Sequence, residues 1–198
     1  MGRTSDARER LIQSGMDLLQ AGGYAQAGVQ EICARAGVRK GSFYHFFATK
    51  SHLGLAVVEQ FHAASIELLD QALAKDLPAP ERIERLFLMV ATIQENFRHE
   101  AGVVKGCPFG NLVLEMSTRD ESLRLVLARV LRETIARLES TIRSGSPAAE
   151  PAKIKEQAEA VFSLLEGAIL VAKAENDPAI IRRMALCAKQ MVAALTEK

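Results

Sequence analysis

Cys107 is the side chain in this sequence best placed to act as a nucleophile. It lies in the run KGCPFGNLVLEMS, residues 105–117. Pro108 biases the residue before it away from helical backbone angles and itself suits the first position of a helix. A cysteine just ahead of a helix start sits in the positive end of the helix dipole, which favours the thiolate. Lys105 adds a second positive charge nearby. The chemistry this predicts is attack of sulfur on an electrophile; the alternative is an inert cysteine packed at a helix start. Lys173, late in a downstream helix, either points to solvent or brings an amine to the sulfur and traps it once reacted.

A second kind of chemistry lies in QEICARAGVRKGSFYHFFATK, Gln30 to Lys50. Two short helices are expected, from about Val29 to Arg35 and from about Lys40 to Phe47. Gly37 between them can take the positive φ that a sharp reversal needs. Ile32, Cys33, Ala36, Val38 and Phe43 fall where the two helices cross. Arg39, Lys40, Ser42, Tyr44 and His45 are left outside. This is the layout of a helix-turn-helix, whose second helix enters the major groove of DNA. Lys40, Ser42, Tyr44 and His45 are the candidates for DNA contact, and Arg39 suits either phosphate or a base edge. Arg3 belongs to an N-terminal arm that reaches backbone or minor groove.

The elements that must carry these groups are helices. The chain has 198 residues, no Trp and 5% aromatics, a composition that favours helix over sheet. Net charge is +1, so no global basic field announces a polyanion. Residues 1–52 nevertheless carry +3 and residues 53–198 carry −2. The start MGRTSDARERL has no apolar signal core, and no run is apolar enough to span a bilayer. A soluble, cytoplasmic protein is expected. Three widely spaced cysteines make neither a disulfide framework nor a zinc site, so no metal and no cofactor is expected. Cys33 and Cys187 lie in apolar stripes and are expected in the core. His62, His99, Asn111, Glu115 and Cys107 have reactive side chains, but no spacing among them makes a nucleophile–base pair, so no catalytic residue and no enzyme is expected.

The run AGVRKGSFYHFFATKSHL resembles the signature of the TetR/AcrR family of bacterial one-component repressors. The matching residues are Gly37, Val38, Gly41, Phe43, Tyr44, Phe46, Phe47, Lys50 and Leu53. The resemblance is close from Thr4 to about Ala56. It implies that Gly41 belongs to the DNA-binding set and that Tyr44, His45 and Lys50 hold backbone phosphate. The family usually has Thr or Ser near Ala27 and Gly28, and a capping Ser where Arg39 stands. Here only backbone N–H groups remain at those helix starts. Gly106, Cys107, Gly110, Asn111 and Leu112 resemble the NemR-like and AcuR-like branch, whose members answer to electrophiles or small unsaturated acids. That resemblance implies Cys107 as sensor or pocket residue. The family's pocket lies inside the helical body, and helical phase offers Phe61, Met89, Ile93, Phe97, Asn111, Glu115 and Phe162 to line it.

The expected fold is all-α: a three-helix DNA-binding domain, residues 1–48, followed by a six-helix effector-binding and dimerisation domain, residues 49–198. Thr118 and Glu121 suggest a capping box for the long helix after Cys107. The last two helices carry more apolar and small residues than one exposed face needs, so they are expected to form a homodimer interface. The expected function is repression from a palindromic double-stranded DNA operator, relieved by a small molecule or by an electrophile at Cys107. A ligand-responsive activator and a helical protein-interaction module are the alternatives.

Overall fold

The computed structural model describes residues 2–21 and 23–196, with side chains at 6–21 and 23–195. The described residues form helices and connecting turns, without strands. In chain order they are α1 (Gly2–Gln20), α2 (Val29–Ala36), α3 (Lys40–Phe46), α4 (Lys50–Ala72), α5 (Ala79–Ala101), α6 (Pro108–Met116), α7 (Glu121–Gly145), α8 (Pro151–Glu175) and α9 (Ala179–Thr196). Local chemistry sets most of the ends. Thr49 Oγ1 accepts the His52 N–H at 3.2 Å and so caps α4. Asp177 Oδ1 accepts the Ala179 N–H at 3.1 Å at the start of α9. Asn176 ends α8 in the left-handed conformation, φ 51°.

Two corrections concern caps. The expected box at Thr118 and Glu121 is replaced by Asp120, whose Oδ1 accepts the Leu123 N–H at 3.0 Å. The chain turns through 117–119, and Thr118 lies two residues too early to cap a helix that begins at Glu121. The sequence also suggests a first helix that begins near Ser5 or Asp6, with Asp6 and Glu9 as a capping pair; Asp6 instead lies inside α1 and pairs with Arg10 one turn on.

The chain packs as two compact units. The first comprises 1–64 and 108–129, the second 65–107 and 130–198. In the first, Leu11, Tyr24, Ile32, Phe43, Leu53, Val57 and Leu123 are fully buried. Each such apolar side chain contributes about 1.5–3 kcal/mol. In the second, α5, α8 and α9 share a core with parts of α4 and α7, built on Ile83, Phe87, Leu138, Ile154, Val161, Ile181 and Val192. Arg182 grips Glu95, with contacts at 2.8 Å, and Lys189 meets Glu84 at 2.8 Å; both pairs tie α9 to α5. These pairs are partly exposed, so they fix register more than they stabilise.

Cys187 is a third correction: it is exposed, not core. On α9 the residues turned to α5 and α8 are Ile181, Ala185, Ala188 and Val192, which are buried. Cys187 projects with Leu186 from the opposite side, where the isolated chain offers no packing.

Candidate DNA-binding head and sensor cysteine

The head is built from α1 to α3 and the start of α4. Ile32, Cys33, Ala36 and Phe43 are buried where α2 meets α3, and Val38 is half-buried. Burial pushes the Cys33 thiol up, away from ionisation, which fits packing rather than reaction. Gly37 closes α2 at φ 61°, its N–H donating to Ala34 O at 3.2 Å, and the Val38 N–H donates to Cys33 O at 2.9 Å. A side chain at Gly37 would strain this turn. On α3, Phe43 points inward while Arg39, Lys40, Gly41, Ser42, Tyr44 and His45 are all exposed. The Tyr44 ring stands edge-on to Phe43, centroids 5.3 Å apart, and is 51% exposed. Gly28 and Arg39 cap α2 and α3 without side-chain bonds, so the first-turn N–H groups lack side-chain caps. Arg3 falls in the first turn of α1, and its side chain lies outside the described residues. Arg8 sets its guanidinium 5.5 Å over the Phe47 ring.

Lys50 faces inward. Its Nζ donates to Ala25 O at 3.0 Å and sits 4.8 Å above the ring of Tyr24. The Tyr24 hydroxyl donates to Lys50 O at 2.9 Å, and the Ala25 N–H donates to Glu115 Oε2 at 2.8 Å. Burial lowers the Lys50 pKa, with Glu115 and Glu31 opposing the shift. These bonds clamp the loop between α1 and α2 from both sides. Lys50→Met should therefore lower the melting temperature, at a cost of about 1–3 kcal/mol for the acceptors left behind. Operator affinity should fall with the salt slope unchanged. A slope smaller by about one would instead mark a phosphate contact.

The cysteine follows a pinned loop. The buried Gln94 amide receives the Gly106 N–H at 3.0 Å and donates to Gly106 O at 3.3 Å. Gly106 has φ 81°, a conformation closed to most side chains. Asn176 also holds the loop, accepting the Val104 N–H at 2.8 Å and donating to Gly102 O at 3.0 Å. Cys107 is half-buried and immediately precedes Pro108, the first residue of α6. Its thiol hydrogen-bonds to the carboxyl of Glu166 on α8. Burial raises the Glu166 pKa, and the bond to the thiol partly offsets the rise. Lys105 places its ammonium 4.3 Å above the Phe97 ring.

The expected pocket residues divide between the units. Phe61, Asn111 and Glu115 belong to the first; Cys107, Met89, Ile93, Phe97, Phe162 and Lys173 belong to the second. Phe61 is buried, Glu115 is engaged by Ala25, and Met89, Ile93, Phe97, Phe162 and Lys173 are half-buried. Lys173 is seven residues beyond Glu166, about 10 Å along the same face of α8. Glu166, Gln94 and Asn176 are neighbours of this loop that the sequence did not announce. The spacing Phe162–Glu166–Lys173 was the available signal, since it puts all three on one face. Among the described residues no group of three or more His, Cys, Asp or Glu side chains could hold a metal ion. Among them, too, no helix is long and apolar enough to cross a membrane.

A helix-turn-helix that turns a polar, cationic α3 outward, on a chain that is otherwise helical, is the layout of a DNA-binding protein. Residues 11–57 match the family described as bacterial regulatory proteins, tetR family. Residues 82–187 match the C-terminal domain described as transcriptional regulator LmrA/YxaF-like. The chain belongs to the TetR family. It is 37% identical over 175 residues to the transcriptional regulator AcuR of Cereibacter sphaeroides, covering 87% of this chain and 78% of that one. It is 30% identical over 174 residues to the transcriptional repressor NemR of Escherichia coli, covering 85% and 84%. The crystal structure of E. coli NemR in its reduced form superposes with a TM-score of 0.79 at 28% identity, covering 94% of this chain and 97% of that one. These relatives are regulators, and the protein is a DNA-binding transcriptional regulator rather than an enzyme.

Proposed function

We propose that this protein is a homodimeric repressor that leaves a near-palindromic operator when a small molecule binds or an electrophile reacts at Cys107. The observation that carries the DNA-binding part is the division of α3. Phe43 is buried, while Arg39, Lys40, Ser42, Tyr44 and His45 are exposed together. A two-fold dimer sets two such helices in successive major grooves, about 34–36 Å apart. Residues 1–48 supply the DNA contacts, and the remainder supplies sensing and dimerisation.

The similarity to AcuR and NemR supports placing the sensor at Cys107. So does the Glu166 carboxyl beside the thiol, a group able to take its proton. With an α,β-unsaturated carbonyl compound, sulfur bonds to the β-carbon as the π pair moves to the α-carbon. The thiol proton passes through Glu166 to the α-carbon, and no oxidant is consumed. The adduct acts on DNA only if it is better accommodated in a conformation that binds DNA less well. Helix α6, which follows Cys107 directly, supports that link, because Glu115 near its far end bonds the head loop at Ala25.

Lys40→Ala tests the DNA face. Operator affinity should fall for all sequences, and the log–log salt slope should shrink by about one. An unchanged slope and affinity would remove Lys40 from the interface.

A further inference from the structure

Two residues at the start of α3 have no use within the chain. Gly41 lies two positions before the buried Phe43, about 160° round the helix from it, so it stands on the side turned away from the core. A Cβ built on Gly41 would meet nothing within 4 Å, and its φ is not positive. Neither packing nor conformation requires glycine there, and glycine inside a helix is disfavoured relative to alanine. Its missing side chain thins α3 on the outward side, where a bare backbone can approach another molecule closely.

Arg39 stands immediately before α3, with φ −70° and ψ 144°. It occupies the cap position but makes no side-chain cap bond, where Ser, Thr, Asp or Asn would satisfy a first-turn N–H. A cation is also disfavoured at that end of a helix, whereas Arg35 closes α2 at the end where one is favoured. Arg10, Arg85, Arg124 and Arg182 each meet a carboxylate. Arg39 is exposed and meets neither a carboxylate nor a ring among the described residues. Local rules broken with no offset inside the chain mark a functional position.

We propose that Arg39 sets operator specificity by reading one guanine in each half-site, its guanidinium fork bonding O6 and N7 in the major groove. Gly41 lets α3 sit deep enough in the groove for that reach. The inference rests on α3 being the helix that faces the groove. At a phosphate, charge alone would suffice, and Lys40 beside Arg39 supplies it. The planar fork of arginine is what the guanine edge matches.

The test is selection from a random-sequence duplex library by the full-length protein, followed by titration on the selected duplex. The wild type should enrich paired half-sites with the same guanine fixed in both. Arg39→Ala should enrich the same half-sites with that one position free, and should bind the wild-type duplex about tenfold or more weakly, with the salt slope unchanged. Placing 7-deazaguanine at that position, which removes N7, should weaken the wild type about tenfold and Arg39→Ala less than about twofold. Gly41→Leu should keep or raise the melting temperature, because the added side chain has open space, yet lower operator affinity about tenfold or more. Three results would overturn the proposal: Arg39→Ala selecting the wild-type sequence, equal losses on all sequences with a salt slope smaller by about one, or Gly41→Leu binding as the wild type does. A wild type that enriches no sequence would instead fail the reading of α3 as a DNA-contacting helix, and the inference with it.

Discussion

Leu186→Glu is expected to turn the dimer into a monomer and to lower operator affinity on the order of 100-fold. In the single chain Leu186 is 54% exposed, and Leu170 and Val171 on α8 are 58% and 48% exposed. Ser163, Gly167 and Ala174 are exposed at helical spacing around them, as are Cys187 and Ala194 on α9. Two neighbouring helices thus turn small and apolar side chains outward, the composition that lets helix pairs pack as a four-helix bundle. A carboxylate placed there costs nothing in the monomer, where it stays in water. In the dimer it is desolvated without a partner. The DNA penalty follows because two half-sites joined in one particle bind with an avidity of about 10²–10⁴ over one alone. Analytical ultracentrifugation should give a monomer with unchanged helical circular dichroism. A dimer that persists would move the interface elsewhere.

The second large effect is at the thiol. Cys107→Ser should abolish release from DNA by N-ethylmaleimide while leaving operator affinity intact. Glu166→Gln should slow the reaction of Cys107 by roughly 100-fold at pH 7, the lower end of what a positioned base supplies. The raised pKa of Glu166 brings the carboxyl closer to the thiol's own, which makes it the better proton acceptor. Two opposing consequences decide the sign. Removing the carboxylate removes the acceptor, but it also removes a negative charge that disfavours thiolate. The hydrogen bond already in place argues that acceptance dominates. Mass spectrometry of adduct formation against time measures the rate, and a faster Glu166→Gln variant would show that the carboxylate restrains the thiol.

Local signals in the sequence carried far. The Gly37 turn, the Thr49 cap and Pro108 at the start of α6 depend on neighbours in the chain, and each lies where its residue type requires. The division of α3 into buried Phe43 and exposed Lys40, Tyr44 and His45 follows from helical phase alone. What could not be read was set by tertiary contact. Lys50 resembles a phosphate ligand by position, yet Ala25 and Tyr24, 25 and 26 residues away, hold its amine. Glu166 lies 59 residues beyond Cys107, and no periodicity links two helices at that distance. Cys187 reads as core because an apolar stripe looks the same whether it faces its own chain or a second copy.

The most direct measurement is footprinting of the purified protein on the DNA upstream of its own gene, combined with the stoichiometry of the complex. Two chains should protect two half-sites about one helical turn apart, and Lys40→Ala should weaken both equally. A single chain on DNA, or no protection of any segment there, would contradict the account.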